Sequence, residues 1–181
     1  SLSRERIGAE MRKLLAAPDP APAVGSMAQA GVLTAILPGA DPTALAPLVH
    51  LEGGMAPRWQ RRLAVLGGDD LQDRLRLSRA EDRDIARLRG EIGGTHRPAA
   101  LGHVLGMDLG TDAVLARAAL LEHPLPADWQ AEVARGAQNR FPVTADDLPS
   151  LIGPALGQEL KRLQKAWLQS DLRLSKQELL R

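Results

Sequence analysis

The chain has 181 residues, with 23 Lys and Arg against 22 Asp and Glu for a net charge of +1, and it contains no cysteine. Disulfides, thiolate metal sites and a cysteine nucleophile are excluded, and any grip on a polyanion must come from a local patch and not from global charge. Aromatic residues make up 2%, with no Tyr and a single Phe, so an all-α fold is expected: an elongated array of small helical subdomains.

In "SRERIGAEMRKLL", Ile7, Met11 and Leu14 recur at helical spacing and Leu15 widens the stripe. Pro18, Pro20 and Pro22 cannot continue a helical ladder and end this first helix. A short helix around Met27 stops at Gly31, and "VLTAILP" adds a turn or two closed by Pro38. Asp41 and Pro42 read as the N-cap and first residue of the next helix, which Pro47 kinks or restarts. In "APRWQRRLAVLGG", Trp59, Leu63 and Leu66 share one stripe, Arg58, Arg61 and Arg62 fall mostly off it, and Gly67 with Gly68 is a stop.

Ser78 and Glu81 form a capping box that opens a helix burying Ile85, Leu88 and Ile92 and ending at Gly93. Shorter helices are expected between Pro98 and Gly106, from Thr111 to Leu121, from Asp128 to Arg135, and from Thr144 through Ile152. A longer one starts at Pro154. On it Leu156, Leu160, Leu163 and Trp167 line one side, Lys161, Arg162 and Lys165 the other, and Gly157 reads as a small position permitting close approach. Ser175 and Glu178 make a second capping box. No apolar run approaches the roughly 18 residues that span a bilayer, so no membrane is expected, and the cytosol is the expected compartment.

Chemistry-bearing patterns are sparse. His50, His96, His103 and His123 show no metal-ligand spacing, and the adjacent acids Asp69-Asp70 and Asp146-Asp147 read as helix caps. No phosphate-loop, dinucleotide or nucleophile-elbow motif occurs, so no catalytic, cofactor-binding or metal-binding residue is expected in this chain. Positive charge on helical faces remains: Arg58, Arg61 and Arg62; Arg74, Arg76, Arg79 and Arg83; Arg87 and Arg89; and Lys161, Arg162 and Lys165. Acids are interleaved with the second cluster, which leaves the first and last groups as candidates for phosphate contact, with plain solvation equally open.

Two segments resemble a known family. "SRERIGAEMRKLL" is similar to the S-x-E-R-I-x-x-E-x-x-K-L-L stretch in the neck of the bacterial tRNA nucleotidyltransferase and poly(A) polymerase family, through Ser3, Glu5, Arg6, Ile7, Glu10, Lys13, Leu14 and Leu15. "AGVLTAILP" and "LRLSRAE" resemble its continuation. "FPVTADDL" and "GPALGQELKRLQKAW" resemble its tail through Pro142, Val143, Thr144, Asp147, Leu148, Gly153, Pro154, Leu156, Gly157 and Leu160. Ala145 stands where the family usually has glycine, and the spacer from Leu148 to Gly153 is short. The Gly-Ser opening with its D-x-D pair and the E-D-x-x-R motif of the family's catalytic head are absent, and "EDRDI" carries Ile85 at the arginine position.

The resemblance implies an end of neck at residues 1–40, a body at 41–124 and a tail at 125–181, in a piece beginning at Ser1 that lacks its head. It implies RNA as the partner, tRNA above all, held so that its 3′ end reaches the chain's own catalytic head. That head would add CCA or AMP from CTP and ATP with Mg²⁺, and this piece would not react. RNA phosphates would be contacted by Arg58, Arg61, Arg62, Lys161, Arg162 and Lys165. The rival reading is a helical interaction module, a homodimer included, using an exposed apolar patch with Trp59, Trp129 or Trp167 and having no RNA role.

Overall fold

A computed structural model describes residues 3–181, so Ser1 and Leu2 lie outside the described residues. These form an all-α protein of twelve helices with no strand among them, beyond an isolated antiparallel bridge between Ala40 and Gly67. None of the helices is long and apolar enough to cross a membrane. The chain gathers into two compact units, Ser1–Gly93 with Asp112–Leu125, and Gly94–Thr111 with Pro126–Arg181.

The first unit contains α1 (Arg4–Leu15), α2 (Ala21–Gln29), α3 (Val32–Ile36), α4 (Leu45–Glu52), α5 (Trp59–Leu66), α6 (Leu71–Leu75) and α7 (Arg79–Ile92). Ser3 caps α1 by accepting a hydrogen bond from the Arg6 amide, and Gly31, at φ 74°, makes the left-handed break between α2 and α3. The helix expected from Asp41 begins at Leu45. The Asp41 carboxylate instead closes a turn onto the Thr43 amide at 2.9 Å. Pro47 neither kinks nor restarts α4, because it falls in the first turn, where backbone amides have no intrahelical acceptor. The Ser78/Glu81 capping box opens α7 with both of its hydrogen bonds.

The core of this unit is aliphatic, built on Leu15, Leu33, Leu37, Leu45, Leu48, Leu63, Leu66, Leu75, Ile85 and Leu88. α1 lies directly on α6, since a Cβ placed on Gly8 would come within 2.0 Å of the Leu75 carbonyl oxygen. Bulk at that position would force the two helices apart.

The second unit contains α8 (Pro98–Leu105), α10 (Trp129–Gln138), a 3₁₀ turn (Ala145–Asp147), α11 (Gly153–Gln169) and α12 (Lys176–Leu179). Between α8 and α10 runs α9 (Met107–Leu121), which starts four residues before the expected Thr111 and whose residues divide between the two units. The helix expected from Thr144 through Ile152 reduces to the 3₁₀ turn, capped reciprocally by Thr144 and Asp147. α8 and α10 cross at glycine: a Cβ on Gly136 would sit 1.7 Å from the Ala99 carbonyl oxygen, and one on Gly102 2.1 Å from that of Val133. Val143, Leu163, Trp167, Leu172 and Leu179 close the core beside Ala99 and Ala100, with Phe141 tilted against Trp167 at 5.5 Å. The Asp171 carboxylate accepts from the Ala100 amide at 3.0 Å, which satisfies a buried donor of the first turn of α8.

Candidate nucleic-acid interface

The structure splits the six basic residues expected to hold phosphate. Arg61 and Arg62 were expected on the solvent side of α5, yet they are 0% and 1% exposed. The Arg61 guanidinium donates to Glu52 at 2.8 Å and to Asp112 at 3.0 Å, both of which are buried carboxylates. Arg62 donates to the second Glu52 oxygen at 2.7 Å, to the Leu15 carbonyl at 2.7 Å, to the Pro18 carbonyl at 3.1 Å, and to the Ala17 carbonyl. It thereby caps the C-terminus of α1 from inside the protein, where unpaired carbonyls attract a cation. Arg58 donates to both Asp112 oxygens, at 2.9 and 3.1 Å, with its side chain 30% exposed.

Burial pushes the Asp112 carboxyl up from its ordinary range, and the Arg58 and Arg61 guanidiniums pull it back. The five side chains form one internal charge network. Arg61 and Arg62 are therefore corrected from phosphate ligands to structural cations, because Arg61 is held by two carboxylates and the Ala56 carbonyl, Arg62 by Glu52 and three carbonyls, and neither guanidinium faces solvent.

α11 keeps the arrangement expected of it. Leu163 and Trp167 are buried, Leu156 and Leu160 half-buried, and Lys161, Arg162 and Lys165 exposed. Arg162 is engaged with Glu159 one turn back, at 2.6 and 2.8 Å, and that hydrogen bond holds the Glu159 carboxyl below its usual range. Lys161 and Lys165 stand one turn apart and present ammonium groups to solvent. Gly157 differs from expectation: nothing lies within 4 Å of the position its Cβ would take, so no close approach within the chain explains it.

On α1, Arg6 and Lys13 are exposed, whereas Arg4 pairs with Asp73 and Arg12 is drawn inward over Trp59, 5.2 Å from its ring centroid, to Glu81 at 3.2 Å. The three tryptophans form no exposed patch. Trp129 and Trp167 are buried and Trp59 is half-covered. His103 packs edge-on against Trp167 at 4.9 Å, with a ring nitrogen 3.0 Å from the Asn139 carbonyl oxygen. An apolar groove of about 580 Å³ runs beside α1, lined by Ile7, Met11, Leu14, Met27 and Ile36, with Arg6 and Glu10 on its rim. Among the described residues no group of three or more His, Asp or Glu side chains is placed to hold a metal ion.

Residues 1–43 match the family model described as "Probable RNA and SrmB- binding site of polymerase A". The matched stretch covers α1, α2, α3 and the turn at Asp41. It supports kinship with the poly(A) polymerases over that segment and RNA as a partner of this helical part. No curated protein matches the chain.

Proposed function

We propose that this chain is an RNA-positioning helical part of an RNA nucleotidyltransferase that adds CCA or AMP to RNA 3′ ends, with tRNA as the expected RNA. The observation that carries the reading is the match of residues 1–43 to an RNA-binding segment of polymerase A. The exposed ammonium groups of Lys161 and Lys165 on an otherwise near-neutral chain support it. Nucleotide addition, with its Mg²⁺, CTP and ATP, belongs in this reading to a catalytic head outside these residues. The chain's own share is grip and orientation through phosphate and shape, which needs cations on rigid helices and few stacking aromatics.

The test is RNA binding by the chain and by a Lys161→Glu, Arg162→Glu, Lys165→Glu variant. All three side chains are exposed, so the variant should keep the thermal midpoint of the parent. Its affinity for tRNA should fall about tenfold or more at low salt. Unchanged affinity would remove α11 from the interface.

A protein partner on α1 is the second reading. The description of the matched family names SrmB beside RNA, and the groove at Ile7, Met11, Leu14, Met27 and Ile36 offers an apolar seat within the matched stretch. Leu14→Glu should abolish such binding and leave RNA affinity unchanged.

A further inference from the structure

The solvent face of α7 carries a feature that sequence adjacency conceals. Counting 100° per residue from the buried Ile85, the core side of the helix is centred on Ile85, Leu88 and Ile92. Arg79, Arg83 and Arg87 fall on the opposite side, each four residues and about 6 Å of helix rise from the next. Every exposed residue of α7 is Arg, Ala or Gly, and every acid of the helix is half-buried. Glu81 is turned to the Ser78 amide at 2.7 Å and to Arg12 at 3.2 Å, while Asp82 borders a cavity with Asp70 and Asp73. Asp84 reaches Arg83 at 3.5 Å from the flank, and Arg89 is tied to the Gly68 carbonyl at 3.2 Å. The acids that make this segment look neutral in sequence thus lie toward the core or on the flanks, with Asp84 and Glu91 bordering the arginine face.

A second observation lies between the arginines. Gly90 shares their face, and nothing stands within 4 Å of where its Cβ would be, so the fold has room for a side chain there. A helical glycine costs about 1 kcal/mol relative to alanine. The packing of the chain gives no return for that cost. With Ala80 and Ala86 exposed alongside, the surface is a low strip set between three guanidiniums.

We propose that the outer face of α7, Arg79, Arg83 and Arg87 with Gly90, is a phosphate-binding surface for duplex RNA. The inference rests on the RNA reading above and assigns it a surface in the first unit. Guanidiniums at regular spacing on a rigid helix match successive phosphates of a backbone, and small residues between them let a wide, shallow groove approach. Single strands are recognised largely by stacking on aromatic rings, and this face has none.

The experiment titrates a hairpin RNA and an unpaired oligonucleotide of equal length into the chain, an Arg79→Glu, Arg83→Glu variant and a Gly90→Gln variant, at several salt concentrations. Hairpin affinity of the double variant should fall about tenfold or more, with the log–log salt slope shallower by roughly two. Gly90→Gln, which changes no charge, should weaken the hairpin severalfold and raise or preserve the thermal midpoint. Hairpin binding that is lost in the α11 variant and untouched by both α7 changes would overturn this assignment alone. Preference for the unpaired oligonucleotide would overturn the duplex assignment, and no binding of either RNA by the parent chain at low salt would overturn the RNA reading itself.

Discussion

Arginine plays two opposed parts in this chain, and the position of its guanidinium decides which. Arg62 fills the end of α1 and Arg117 the end of α7, where it donates to the Ile92 carbonyl at 3.1 Å and to that of Glu91 at 2.5 Å. A buried cation such as Arg62 stabilises as part of a pair, because removing its partner leaves an uncompensated charge in a poorly hydrated interior. Glu52→Gln should therefore destabilise the first unit by about 3 to 5 kcal/mol, read as a lower denaturant midpoint, and a change within about 0.5 kcal/mol would show that the network is not held as described. Half-buried carboxylates at the surface act through acid instead. Hydrogen bonding from Arg135 holds Glu132 below its ordinary value of 4.5, and hydrogen bonding from Lys176 holds Asp147 below 3.8. Each depressed carboxyl lends stability that is present above its ordinary value and lost as pH falls through the folded one. The thermal midpoint should accordingly drop on acidification below about pH 4.5, and Glu132→Gln should flatten that drop. A midpoint independent of pH between 5 and 3, buffers of roughly that range being used, would contradict the assignment.

At the scale of elements, glycine reports which helices touch. Gly136 lies against Ala99, so Gly136→Ala should cost about 1 to 3 kcal/mol by forcing α10 away from α8. Gly157→Ala on α11 meets open space and should stabilise by up to about 1 kcal/mol. The opposite order in thermal denaturation would refute the close crossing of α8 and α10. Helix starts with local chemistry were legible in the sequence: Ser78 and Ser175 cap their helices because the capping hydrogen bonds span three residues. The start of α9 and the shortening of the Thr144 helix were not, since no Ser, Thr, Asp or Asn immediately precedes Met107 in the sequence and the Thr144/Asp147 capping box marks where a helix begins but not how far it runs. The α5 arginines misled for a related reason. Their partner Asp112 is 51 residues from Arg61, and no local pattern announces a carboxylate arriving from so far along the chain. The α7 face was concealed in the opposite way, by acids adjacent in sequence that the helical turn carries to the flanks.

At the scale of the molecule, near-neutral net charge conceals an uneven distribution. Some cations lie inside with acids, and others, among them Lys161 and Lys165 on α11 and the α7 arginines, lie outside. The stripe on α11 was readable because its apolar and basic residues keep helical period over 17 residues, which is long enough to define two sides. A chain that grips RNA through such faces must release counterions when it binds, and their number is written in the salt dependence of its affinity. The most direct test is the affinity of the whole chain for tRNA, measured from low to physiological salt. The account predicts binding at low salt whose log–log slope is steep, about −3 or beyond. A flat slope, or no binding at the lowest salt, would contradict it.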